Sequence, residues 1–340
     1  MAAARPQRID PRTVQGAAAR PVPPKAKAKA RAAGASGRPG AVAPRRATLL
    51  DWIGAARIPT LPLSVAPVIL GVGVAHLAAS EADGPGWHWL RALACLAVAV
   101  FLQIGVNFAN DYSDGVRGTD AVRSGPRRLT ASGAASPRAV LTVALVCFAL
   151  AAAAGLVITV RTGHWWFIAV GAVAILAAWF YTGGRRPYGY AGLGEVAVFV
   201  FFGLVATVGT TFALIGDVPQ EAWIVAVAAG AFASAVLGVA NLRDREQDAH
   251  VGKRTLAVRI GDRASRVLTV VLLAIPYGVL GLISAVYSSA AFGFFTLLLT
   301  IPAAVITLTA KTARELVLVL RLISLASLLY AVAAAWAIGF

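Results

Sequence analysis

The sequence predicts an all-α, polytopic integral membrane protein with nine transmembrane helices. Three observations carry that reading. Of 340 residues, 59% are apolar and the mean hydropathy is +0.75, too apolar for a soluble domain. Nine apolar runs follow one another, each near the ~20 residues that a helix needs to cross ~30 Å of hydrocarbon. Lysine and arginine crowd the connections on one side of the membrane and nearly vanish from the other.

The chain opens on residues 1–46, which hold eleven Lys/Arg and one acid (Asp10), a charge of +10. This Ala/Pro/Arg-rich stretch has no apolar run with which to form a core, nor the hydrophobic segment of a secretory leader. Residues 1–47 are therefore expected to be a disordered, basic, cytoplasmic tail, and 48–340 the membrane domain. Leu49, Leu50 and Trp52 suggest a short interfacial helix. The spans are predicted at 58–79, 89–110, 139–160, 164–182, 194–215, 222–241, 266–287, 291–310 and 317–339. Pro59, Pro62 and Pro67 should kink the first or delay its start. A tight turn around 161–163 separates the third from the fourth.

With the tail placed inside, the inner loops carry seventeen Lys/Arg and the outer segments two, Arg91 and Arg161. The N-terminus is thus expected in the cytoplasm, the C-terminus outside, and the chain in a lipid-surrounded cell membrane. Nucleic acid is not an expected partner, because no aromatic or helical pattern interleaves the basic residues. Cys95 and Cys147 lie singly in apolar runs and the four histidines are scattered, which excludes a zinc centre.

Two acidic clusters close apolar runs on the cytoplasmic side. Asn107, Asn110, Asp111 and Asp114 fall at i, i+3, i+4 and i+7, one face of a helix; Asn241, Asp244 and Asp248 fall at i, i+3 and i+7. Glycines and a proline at 115, 118, 125, 126 and 133 mark an ordered loop after the first cluster. One such cluster would read as a solvated loop. Two matched ones, facing each other, present about five carboxylates that would repel unless a cation joined them. Oxygen donors of this kind suit Mg²⁺ shared with substrate phosphates. Arg127, Arg128, Lys253 and Arg254 stand behind to hold a diphosphate. If the donor is an allylic diphosphate, aromatic walls could face the cation left by its ionisation; candidates are Phe101, Phe108, Trp179, Phe180, Tyr181 and Phe199.

The first cluster resembles the N-D-x-x-D motif of the UbiA-like intramembrane aromatic prenyltransferases, and the second their D-x-x-x-D. NDYSDGVRGTD (110–120), GPRRLTASG (125–133), YTGGRRPYGYAGLGEVAVFVFFG (181–203), NLRDREQD with GKRTLAVRIG (241–261) and ARIPTLPLSVAPVILG (56–71) are similar to the bacterial 1,4-dihydroxy-2-naphthoate polyprenyltransferases of menaquinone synthesis. The superfamily's further acid eight residues after the motif asparagine is Gly118 here, with Asp120 two residues on.

The resemblance implies helices around a central cavity with cytoplasmic caps. It implies transfer of a polyprenyl group from polyprenyl diphosphate to 1,4-dihydroxy-2-naphthoate, with loss of CO₂ and diphosphate, to give demethylmenaquinone. Asn110, Asp111, Asp114, Asp244 and Asp248 carry over as the Mg²⁺ set, the four aspartates also as the catalytic residues. Asn107, Asn110, Arg127, Arg128, Lys253, Arg254, Tyr181 and Arg185 carry over as substrate-binding residues. Glu195 is either a partner for an arginine or functional.

Three alternatives remain. A different ring, such as 4-hydroxybenzoate, would keep the mechanism. The D-x-x-D-G at 111–115 begins the CDP-alcohol phosphotransferase signature, but Gly118 and Thr119 break it. A cation transporter would place its carboxylates near the bilayer midplane, not at helix ends beside many cations.

Overall fold

The computed structural model describes residues 45–81, 88–120 and 128–339. The predicted tail lies outside the described residues except for its last three positions. These already belong to the bundle: Ala47 N–H donates to the Ala134 carbonyl, and Arg45 pairs with Asp51.

Every described element is helical. The interfacial helix α1 is Leu49–Ala55, entered through a Thr48/Asp51 capping box. Leu49 and Leu50 are exposed along it. Then come α2 (Pro62–Glu81), α3 (Trp89–Arg117), α4 (Pro137–Thr162), α5 (Phe167–Phe180), α6 (Gly194–Ile215), α7 (Gln220–His250), α8 (Leu256–Ser284), α9 (Leu297–Thr309) and α10 (Ala313–Gly339). A 3-10 segment, Ser288–Thr296, leads into α9. Among the described residues eight helices are long and apolar enough to cross a membrane. The protein is an integral membrane protein.

The exception among the nine predicted runs is the fourth. Its helix α5 has 14 residues, about 21 Å of rise. The His164–Trp166 turn and the wound-out Tyr181 end absorb the rest of the apolar run. The prolines act as expected. Pro59 sits in a 3-10 turn (Ile58–Thr60), and α2 proper starts at Pro62.

The two helices that end in the acidic clusters both outrun the bilayer. At 29 and 31 residues, α3 and α7 rise about 44 and 47 Å. The surplus turns carry both acidic clusters. Gly118 in the left-handed region (φ 77°) stops α3.

Packing divides the bundle. A large core joins α2, α7, α8, α9 and α10 around Phe232 and Tyr330. A smaller one joins α1, α3 and α4 around Phe108 and Phe148. Between them α6 is distorted: Phe199–Val205 form a π-helix. There a Cβ on Gly203 would come within 2.6 Å of the Gly230 backbone, so the α6–α7 crossing tolerates no side chain.

Candidate active site

Asn107, Asn110, Asp111 and Asp114 are all buried on one face of α3. Each has a distinct partner. Asn107 Nδ2 donates to the Ala56 carbonyl at 3.0 Å and so fixes the end of α1. Asn110 Oδ1 accepts from Thr182 Oγ1 at 2.7 Å. Asp111 accepts two backbone N–H groups, Leu129 on Oδ2 and Thr130 on Oδ1, both at 2.9 Å. It therefore staples the loop after α3 back onto the helix. In the same loop Arg128 Nε lies 3.1 Å from Asp120.

Asp114 is the pivot. Its Oδ1 accepts from the Tyr190 hydroxyl at 2.6 Å, and its Oδ2 is 2.9 Å from Lys253 Nζ. The same Nζ stands 4.0 Å from Asp248 on α7, so one ammonium joins the two acidic helix ends. Lys253 also lies over the Tyr190 ring, 4.8 Å from its centre, and Arg117 lies 5.6 Å from it. Burial by itself would lower the lysine pKa, but Asp114, Tyr190 and Asp248 outweigh it and the net shift is upward. The Tyr190 phenol is raised by burial and then by the Asp114 charge. At the second end, Arg243 Nε and Nη2 grip Asp244 at 2.8 and 2.7 Å.

Below this charged mouth lies a cavity of about 820 Å³. Its polar rim includes Arg57, Asn107, Asn110, Arg128, Tyr181 and Arg243. Its walls are mostly apolar and come from α2, α3, α4, α5, α6, α7 and α10. Arg57 holds a left-handed backbone (φ 58°, ψ 48°), a strained conformation for a bulky side chain. Burial and the neighbouring Glu195 carboxylate raise the Tyr181 phenol above its usual range.

A family model described as the UbiA prenyltransferase family matches residues 64–325. The chain belongs to the UbiA prenyltransferase family. It is 47% identical over 309 residues to the 1,4-dihydroxy-2-naphthoate octaprenyltransferase of Mycobacterium tuberculosis, covering 86% of this chain and 98% of that one. It is 36% identical to the enzyme of that name from Escherichia coli, over 63% of this chain and 70% of the other. Two solved structures share its fold. The apo UbiA homologue from Aeropyrum pernix has a TM-score of 0.58 at 16% identity, covering 76% of this chain and 96% of that one. The UbiA homologue from Archaeoglobus fulgidus, bound to GPP and Mg²⁺, has 0.55 at 17% identity, over 85% of this chain and all of the other.

Within this UbiA fold the predicted residues separate. Asn107, Asn110, Asp111, Asp114, Arg128, Asp244, Asp248 and Lys253 gather buried at the mouth, and Tyr181 lines the cavity beside them. Arg185 and Arg254 are exposed and do not line the cavity. Arg127 lies outside the described residues. The partner of Glu195 is an amide, not an arginine: Asn241 Nδ2 donates to its Oε1 at 2.8 Å. Of the six proposed aromatic walls only Tyr181 lines the cavity. The other rings that do so are Phe167, Tyr188, Phe201, Phe202 and Phe212, with Trp166 and Trp223.

Arg57, Thr182, Tyr190 and Arg243 were not singled out from the sequence. All four sit inside motif segments already noted, but nothing local marks them above their neighbours. Their importance comes from tertiary position.

The mouth can be tested for a divalent ion. Among the described residues no three His, Cys, Asp or Glu side chains converge into a preformed cage. Lys253 and Arg243 instead occupy the carboxylates. The donor set nevertheless fits a hard cation that arrives with substrate. The available ligands are carboxylate and amide oxygens, and Asp114 and Asp248 lie within reach of one nitrogen.

Proposed function

We propose that the protein transfers a polyprenyl group from polyprenyl diphosphate to 1,4-dihydroxy-2-naphthoate, with loss of diphosphate and CO₂. The product is demethylmenaquinone, formed first in its reduced state. The carrying observation is a buried, charged mouth above a large apolar cavity, which matches a diphosphate head on a hydrocarbon tail. The names of the bacterial relatives supply the acceptor.

Asn110, Asp114, Asp244 and Asp248 would hold Mg²⁺; Asp111, expected in the same set, already accepts the Leu129 and Thr130 N–H groups, one on each oxygen, and takes a positioning role instead. The ion would supply positive charge for the oxygen that leaves with the bonding pair. Lys253, Arg128 and Arg243 take the remaining diphosphate oxygens, the arginines as forks and the lysine as a point charge. Asp111 keeps the Leu129–Thr130 backbone, and Arg128 next to it, against the mouth. Arg57 lines the cavity immediately after Ala56, whose carbonyl Asn107 holds, and binds the acceptor's carboxylate. The allylic carbon–oxygen bond breaks, the ring donates an electron pair to form the new carbon–carbon bond, and the carboxyl group leaves as CO₂. The apolar walls exclude water that would otherwise trap the cation.

With the short α5 counted as a ninth crossing, the basic loops put the mouth and N-terminus on the cytoplasmic side and the C-terminus outside the cell membrane.

The test uses purified protein in detergent with polyprenyl diphosphate and dihydroxynaphthoate, plus Mg²⁺ or EDTA, and mass detection of prenylated product. Product that needs Mg²⁺ is expected. Product with 4-hydroxybenzoate alone would move the acceptor and keep the mechanism. No prenylation of any ring by folded protein would overturn the reading.

A further inference from the structure

Glycine in a membrane helix ordinarily allows close packing. Several glycines here serve that end. A Cβ on Gly73 would come within 2.6 Å of Ala335, and one on Gly105 within 2.6 Å of Phe148. Gly155, Gly171 and Gly209 are different. A Cβ on Gly171 or Gly209 would meet nothing within 4 Å, and one on Gly155 only a Val98 methyl at 3.9 Å. All three line the cavity, from three different helices, α4, α5 and α6. Packing does not require the missing side chains; open bore does.

Their depth can be read along α3. Cavity-lining residues on that helix run from Asn110 at the mouth to Cys95, a rise of about 22 Å. Gly155 faces Val98, about 18 Å from Asn110. Thr210, next to Gly209, hydrogen-bonds Cys95 at the far end. Gly171 is one turn from Phe167, which packs on Phe212 with ring centres 6.0 Å apart. The three glycines thus widen the end farthest from the charged mouth. Extended chain covers about 3.5 Å per three bonds. The four-bond isoprene repeat then covers about 4.7 Å, and the cavity encloses between four and five units.

We infer that Gly155, Gly171 and Gly209 set which prenyl chain lengths the cavity accepts, an inference that rests on the prenyl-donor reading above. Short donors end before the glycines; long donors thread between them. A leucine at Gly171 or Gly209 has room to fit without moving a helix, and it occupies the space the fourth and later units need.

The test is the ratio of kcat/KM for an eight-unit donor to that for geranyl diphosphate, in wild type, Gly171→Leu and Gly209→Leu. Melting temperatures in detergent accompany the rates. The ratio is expected to fall about tenfold or more in each variant, since each blocks more than one methylene of chain. An unchanged ratio in folded variants overturns the inference and means that long tails leave before the deep end. Equal loss with both donors also overturns it, because the glycines would then serve structure. If the wild type uses neither donor, the parent reading falls and this one with it; a wild type active on both with unshifted variants defeats the inference alone.

Discussion

The two acidic helix ends look alike in sequence and are built differently. The end of α3 is braced by backbone and by neighbours distant in the chain. Asp111 holds two loop N–H groups, and Asp114 holds Tyr190 and Lys253. The end of α7 is held by side-chain cations and not by loop backbone: Arg243 on Asp244, Lys253 near Asp248. The first end is a fixed platform. The second can exchange its side-chain cations for a metal and a diphosphate at little cost to the fold. Within the first end there is a further division, because Asp111 works on the loop and Asp114 on the mouth.

The largest effect should follow loss of the pivot. Asp114→Asn removes the charge that two helix ends share through Lys253, and prenyl transfer should fall by about a hundredfold or more, as when a principal charge-stabilising group is lost. Steady-state rates with saturating Mg²⁺ measure it. A loss under fivefold would show that the two ends act independently.

The next pair of variants separates platform from exchangeable end. Asp111→Asn leaves a buried N–H facing an amide NH₂ and should lower stability by about 2 kcal/mol as well as activity. Asp244→Asn should abolish Mg²⁺-dependent turnover and lower the melting temperature in detergent less than Asp111→Asn does, because the Arg243 left without its buried partner also lines the cavity and can turn into it. Equal destabilisation by both would erase the distinction drawn here.

Tyr190→Phe is milder. It deletes the 2.6 Å hydrogen bond to Asp114 but keeps the ring beneath Lys253. Loss of one hydrogen bond to a charged group corresponds to roughly tenfold, expected in the KM for the diphosphate donor and not in kcat. A kcat effect alone would place Tyr190 nearer the reacting atoms.

How much of this was legible in the sequence follows from the range of each signal. Periodicity put Asn107, Asn110, Asp111 and Asp114 on one face, and the structure has them there. The same holds for the eight long spans. Proximity between Asp114, Tyr190 and Lys253 is written in no local pattern, so the lysine appeared only as a cation behind the second cluster. The α6 run read as an ordinary helix. Its π-helical turn, which Phe201 and Phe202 share as they line the cavity, leaves no mark in hydropathy. That is why the aromatic walls were misassigned. The fourth run, too, was long enough by count and is short by geometry, because its ends are spent on turns.

The smallest effect concerns Arg57, and it tests whether strain is maintained for binding. A non-glycine residue in the left-handed region costs about 1–3 kcal/mol unless its surroundings impose it. Here Arg57 terminates α1, its carbonyl accepts the Thr60 N–H at 2.9 Å, and its side chain is carried to the cavity rim. Glycine adopts the same backbone freely but gains entropy in the unfolded chain, so the two effects partly offset. Arg57→Gly should therefore raise stability by only about 1 kcal/mol, read as a small increase in melting temperature. The KM for the acceptor should rise while that for the diphosphate donor holds. A variant that is both less stable and unaffected in acceptor binding would make Arg57 a structural cap, and the acceptor's carboxylate would have to be held by another cation of the rim.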